Sequence, residues 1–212
     1  MEADTVKVKI CGITSVRDAL ATCELGADAI GLVFSGSPRK VSLNAAAEIA
    51  GRVSPFVTVV GVFVNEEREF VSRALEQCSL DLVQLHGDES PEYCLSFPGR
   101  VIKSFRIGEA GDISPVSSFS VRAALFDSRV RGAFGGTGKA FEWKVLGDVT
   151  RLQLSVILAG GLNADNVGRA IEIVRPYAVD VSSGVEAEPG KKDYARMKEF
   201  MQKVRHREKA SG

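Results

Sequence analysis

Apolar residues fall along this chain in eight short continuous runs, at 6–11, 29–34, 57–64, 80–85, 101–105, 123–127, 154–159 and 177–182. Consecutive runs begin 21 to 31 residues apart, which leaves room for a loop and a helix between neighbours and excludes strands joined by tight hairpins. Runs that are apolar on both faces belong to strands covered on both faces, and such strands are parallel. Stripes at helical spacing lie between them: Ala46, Ile49, Ala50 and Val53; Phe70, Val71, Ala74, Leu75 and Cys78; Val167, Ala170, Ile171 and Val174; Met197, Phe200, Met201 and Val204. Thr14-Ser15 before one helix, and Ser90-Pro91-Glu92 at another, supply capping residues and a proline at the first turn. Serine-rich residues 112–120, with a proline inside, predict only a short or irregular helix. Eight strand–helix units predict an α/β fold of the (βα)8 TIM-barrel type, a single compact domain over 1–205 with a polar, fraying tail at 206–212. An open doubly wound sheet is the alternative.

The first run, VKVKIC, ends at a thiol. Strand alternation puts Lys7, Lys9 and Cys11 on one face and Val6, Val8 and Ile10 on the other. A cysteine is ordinarily a small buried hydrophobe. Here it stands at a strand's carboxyl end, where α/β sheets meet their ligands. Lys9, about 6.5 Å back along the same face, is placed to favour a thiolate. At the same end the second run leads into Ser35-Gly36-Ser37-Pro38-Arg39, the fourth ends in Gln84-Leu85-His86-Gly87, the sixth in Asp127, the seventh gives Gly160-Gly161, and the eighth gives Asp180-Val181-Ser182-Ser183-Gly184.

Composition narrows the partners. Lysine plus arginine match aspartate plus glutamate at 27 each, so there is no basic surface to favour nucleic acid. The longest apolar run, 56–64, is too short for a bilayer, and the start MEADTVKVK lacks a secretory pattern; a cytoplasmic protein with no membrane partner is expected. Four cysteines without a CxxC and two distant histidines predict neither disulfides nor zinc, hence chemistry without metal or cofactor.

Each site residue carries a plain reading beside the functional one. Gly160-Gly161 and Ser182-Ser183-Gly184 are either two tight turns or the phosphate cradle that barrels build after strands seven and eight. Gly132 to Lys139 fails as a P-loop, because five residues rather than four separate Gly132 from Gly138 and alanine follows Lys139; a glycine-rich lid fits better. Arg39 is a solvated arginine or a carboxylate clamp. His86 is a core-edge histidine or a ligand contact, and Asp180 pairs with Lys9 or meets substrate. Asp127, three strands around the ring from Cys11, faces it across the mouth. One acid and one base flanking a small phosphosugar describe a proton-transfer isomerase.

These residues resemble the phosphoribosylanthranilate isomerase family of tryptophan biosynthesis. The similarity covers nearly the whole chain: KICGIT at 9–14, GADAIGLVF at 26–34, SPR at 37–39, GVFVN at 61–65, QLHG at 84–87, GGTGKAFEW at 135–143, LAGGL at 158–162 and VDVSSGVE at 179–186. The resemblance implies a metal-free (βα)8 enzyme, monomer or homodimer, performing the Amadori rearrangement of a phosphorylated aldose amine. By that resemblance Cys11 is the general base, Asp127 the general acid, Arg39 the ligand of the anthranilate carboxylate, and the last two loops the phosphate site, with His86 and Asp180 assisting. A histidine-pathway aldose–ketose isomerase would carry aspartate at the Cys11 position, and a silent binding barrel would have lost Cys11, Asp127 or Arg39.

Overall fold

The computed structural model describes residues 5–106, 114–127, 143 and 152–210, the last five without their side chains. The elements run β1 Lys7–Cys11, α1 Val16–Glu24, β2 Ala29–Val33, α2 Leu43–Ala50, β3 Thr58–Phe63, α3 Arg68–Gln77, β4 Leu82–Leu85, α4 Pro91–Cys94, β5 Val101–Arg106, β6 Ala123–Asp127, β7 Ser155–Ala159, α5 Val167–Val174, β8 Ala178–Val181, a hairpin of β9 Glu186–Glu188 with β10 Lys191–Lys192, and α6 Tyr194–Ala210. The first eight strands pair in parallel in chain order, and β8 closes on β1. The open sheet is therefore excluded. Every carboxyl end of the eight strands opens onto one mouth.

Serine caps fix the helix starts: the hydroxyls of Ser15, Ser42 and Ser90 accept from the amides of Asp18, Ala45 and Tyr93 at 3.1, 3.2 and 3.2 Å. Residues 114–118 form a short 3-10 helix, with Pro115 in its first turn, where a missing amide donor costs nothing. The expected lid at 132–139 lies outside the described residues. Helix α6 runs on to Ala210, into the polar tail, and Lys, Arg, Glu and Ala there are all good helix formers.

Two apolar shells hold the barrel. The larger lies between sheet and helices and is built from outward strand residues such as Val8, Ile10, Leu32, Phe63 and Phe126 with helix residues such as Ile49, Val71 and Phe200. Phe34 stacks on Phe63 with ring centroids 5.0 Å apart, and Phe70 meets both edge-on. The smaller fills the barrel itself with Val60, Ile102, Leu125, Ile157 and small alanines. Opposite these small groups, Lys9 and Asp180 occupy the interior as neighbours in register across β1 and β8. Among the described residues no helix is long and apolar enough to cross a membrane.

At the amino-terminal rim Phe56 is 98% exposed, beside a hollow of about 360 Å3 whose lining includes Asp81, Arg100 and Arg122.

Gly31 is required by what it faces. A Cβ there would stand 2.7 Å from the Cys11 sulfur and 3.2 Å from the Lys9 side chain. Gly31→Ala should lower stability by about 1–3 kcal/mol through overpacking, read as a lower urea midpoint with an unchanged m-value.

Candidate active site

The mouth holds a cavity of about 210 Å3. Cys11, Arg39, His86, Asp127, Asp180, Gly160, Gly161, Ser182 and Ser183 all line it, so chain positions up to 172 residues apart converge on one hollow. Gly184 does not reach the cavity. It stands behind it, where a Cβ would strike the Leu162 carbonyl, and its absence of side chain lets the loops after β7 and β8 pack together.

Cys11 is buried at the end of β1, and Gly12 follows with φ +77. A side chain at Gly12 would meet Arg39 Cδ at 2.5 Å and Ser182 Oγ at 3.2 Å, so the left-handed turn also clears the path of the arginine stem. Beneath Cys11, Lys9 Nζ donates to Asp180 Oδ1 at 2.9 Å, both nearly inaccessible to solvent. Burial alone would depress the Lys9 ammonium, but the Asp180 carboxylate and the Cys11 sulfur together push it above its ordinary value. Burial likewise pushes the Cys11 thiol up, with Asp180 adding to the rise and Lys9 and Lys192 opposing it. Lys9 does favour the thiolate, as expected from its place on the strand, but its charge is already matched by Asp180 and loss of water outweighs what remains.

Across the mouth, Asp127 Oδ2 lies 3.5 Å from His86 Nε2. The other ring nitrogen, Nδ1, is 2.9 Å from Gln84 Nε2 and 2.9 Å from Ser104 Oγ. With the Gln84 amide nitrogen toward it, Nδ1 accepts, and a proton on Nε2 then points toward the carboxylate. The loop holding His86 is built from below by Lys103, which bonds Glu89 Oε2 at 3.0 Å and the Gly87 carbonyl at 2.7 Å.

Arg39 is neither solvated nor unengaged. Its Nε and Nη2 donate to Glu186 Oε1 and Oε2 at 2.8 and 2.6 Å. Glu186 opens the hairpin that follows β8, and its Oε1 also takes Lys192 Nζ at 2.8 Å. That wholly buried ammonium further donates to the carbonyls of Cys11 and Ser182 at 2.6 and 3.2 Å. Burial works against the Glu186 carboxylate, but Arg39 and Lys192 hold it below its ordinary range; burial depresses Lys192 itself, and Glu186 restores only part.

Sequence reasoning missed Glu186, Lys192 and Ser104. It placed Gln84 at the end of the fourth strand, two residues before His86 on the same face, without a role. Lys192 carried no such signal, because its partner Cys11 is 181 residues away.

A model of the N-(5'-phosphoribosyl)anthranilate isomerase family matches residues 8–203. The isomerase of Magnetococcus marinus is 48% identical over 208 residues, covering 98% of this chain and 99% of its own. The Thermotoga maritima isomerase superposes with a TM-score of 0.87 at 42% identity, over 95% of this chain and 99% of its own. Monomers generated from that dimeric enzyme give 0.84 at 40%, over the same shares. An isomerase in complex with reduced 1-(o-carboxyphenylamino)-1-deoxyribulose 5-phosphate gives 0.84 at 40% identity, again over 95% and 99%. The chain belongs to the N-(5'-phosphoribosyl)anthranilate isomerase family.

Proposed function

We propose that this mouth carries out the family's reaction, the isomerisation of N-(5'-phosphoribosyl)anthranilate in tryptophan biosynthesis, by general acid and base catalysis with Asp127 as acid and Cys11 as base. The observation that carries the reading is the placement of a carboxylate and a thiol on opposite strands of one small cavity. Asp127 gives a proton to the ribose ring oxygen as the C1–O bond breaks and the anilino nitrogen forms an iminium. Cys11 then takes the C2 proton, and the resulting enolamine becomes the 2-ketone as C1 gains a hydrogen. C1 is reduced and C2 oxidised within one molecule, so the step is an intramolecular oxidoreduction and needs no outside electron carrier.

The backbone at Gly160-Gly161 and at Ser182-Ser183 takes the phosphate, with Gly184 behind them as the packing point of the two loops, and Asp180 and His86 border the ribose between the two ends. Arg39 takes the anthranilate carboxylate. Of its two bidentate edges, the one formed by Nη1 and Nη2 makes no hydrogen bond through Nη1 among the described residues. The four cysteines are unpaired thiols, which suits a reducing cytoplasm. Two copies associate through the amino-terminal rim, each placing its exposed Phe56 against the hollow of the other. The Thermotoga maritima relative is dimeric, which supports the association of two copies.

The acid and base share one proton at neutral pH, since a thiol keeps its proton and a carboxylate gives its up. Above the Cys11 pKa the pair holds none, Asp127 has nothing to donate, and kcat/KM falls. Burial raises that pKa, so the fall should lie on the alkaline side of an ordinary cysteine. Cys11→Ser should lose this limb and most activity, and Asp127→Asn should nearly abolish turnover, with both variants still binding substrate in calorimetry. Turnover of Cys11→Ala within tenfold of the parent would remove the thiol from the chemistry.

Arg39→Ala should weaken substrate binding by about 1.5–3 kcal/mol, the worth of a charge-assisted pair, while an analogue without the carboxylate binds parent and variant alike. Phe56→Glu should convert a dimer into a monomer in sedimentation velocity; an unchanged mass would move the interface elsewhere.

A further inference from the structure

Three charged side chains under the mouth form a connected group that the acid and base chemistry leaves unused: Arg39, Glu186 and Lys192. Glu186 Oε1 accepts from Arg39 Nε at 2.8 Å and from Lys192 Nζ at 2.8 Å, while Oε2 accepts from Arg39 Nη2 at 2.6 Å. The carboxylate thus occupies the guanidinium's Nε edge completely. Lys192 closes the arrangement against the backbone, through the Cys11 carbonyl at the end of β1 and the Ser182 carbonyl at the end of β8. The Arg39 stem runs over Gly12, where any side chain would block it. An arginine has several rotatable bonds and loses much freedom when it binds an anion. Here that freedom is removed before substrate arrives.

We infer that Glu186 is a positioning residue: it grips one edge of Arg39 so that the other edge faces the anthranilate carboxylate, with Lys192 as its buried counter-ion and its anchor to β1 and β8. The inference rests on the reading of Arg39 as the carboxylate ligand. It makes a prediction opposite in sign to simple electrostatics. The group carries one net positive charge, and neutralising Glu186 raises that to two. If charge alone mattered, an anionic substrate would bind the variant more tightly. Positioning requires weaker binding.

The test is steady-state kinetics on Glu186→Gln and Glu186→Ala, each alone and combined with Arg39→Ala, with binding of inorganic phosphate by calorimetry as the measure of an intact site. The expected result is a KM raised about tenfold or more in Glu186→Ala, less in Glu186→Gln, which keeps one acceptor oxygen, with kcat within about threefold of the parent. In the Arg39→Ala background neither Glu186 substitution should raise KM further. An unchanged or lowered KM in the single variants, while Arg39→Ala raises it, overturns the positioning role and leaves the carboxylate reading standing. Equal multiplicative effects in both backgrounds also overturn it, because Glu186 would then act apart from Arg39. An Arg39→Ala variant with the parent's KM overturns the carboxylate reading, and this inference with it. If Glu186→Ala fails to fold, Glu186→Gln decides; loss of phosphate binding in both would mean that Glu186 holds up the whole mouth rather than aiming one side chain.

Discussion

The barrel closes at the seam between β8 and β1, and at that seam sits an ion pair with almost no access to water. Lys9 and Asp180 are register partners across the closing ladder, and their 2.9 Å contact fills interior space that the alanines and Gly31 leave open. Removing two charges from water costs several kcal/mol per ion, and their attraction returns a similar amount, so the pair adds little net stability. Breaking it is another matter: a lone ammonium in that position would cost about 3–5 kcal/mol. The pair therefore constrains more than it stabilises. A one-residue slip of β1 against β8 would bury Lys9 without a partner and turn Cys11 into the helix layer, so the register that places the thiol at the mouth is the register that satisfies the charge.

The chemistry at the mouth depends on the same seam. Lys192 reaches it from the hairpin after β8 and bonds the carbonyls that end β1 and β8. Two buried ammonium groups thus flank Cys11, one within the barrel and one behind the loops. Each is already matched to a carboxylate, Lys9 to Asp180 and Lys192 to Glu186. What the thiol experiences is chiefly loss of water, and its pKa rises despite two neighbouring cations.

How much of this was legible depended on distance along the chain. The eight strands announced themselves because a parallel, doubly covered strand is apolar throughout, and regular spacing then implied closure. Cys11, Asp127 and the two glycine and serine loops were readable because each stands at the end of such a run. The Lys9–Asp180 pair was also within reach, since both residues interrupt apolar strands and so needed an explanation. Glu186 and Lys192 were not: they sit in a short polar hairpin where charged residues are ordinary, and their importance comes from burial created by α6 and the β1 turn. The helical continuation through 206–210 has a weak signal in sequence, because a polar run of good helix formers looks the same whether it frays or stays wound. Arg39 shows the limit of reading one residue at a time. Its type suggested a clamp, but only the fold revealed that half of the clamp is held by another side chain.

A raised thiol pKa looks unfavourable for a base, and the balance can be weighed. For each unit of increase at fixed pH the thiolate population falls tenfold, while the basicity of the thiolate that remains improves its rate of proton abstraction by only a fraction of that. Taken alone, Cys11 loses. Taken with Asp127, the accounting changes, because the reactive form of the pair has the same proton count as the resting form. Moving the proton from thiol to carboxylate changes where the charge sits, not how much there is. Between the two titrations the reactive fraction is therefore independent of pH, and it is set by the difference between the two environments. Lys9 and Lys192 favour a negative sulfur, and burial opposes it. On the acid and base reading proposed for the two residues, these opposing influences on the sulfur set the fraction of the pair that stands in its reactive form.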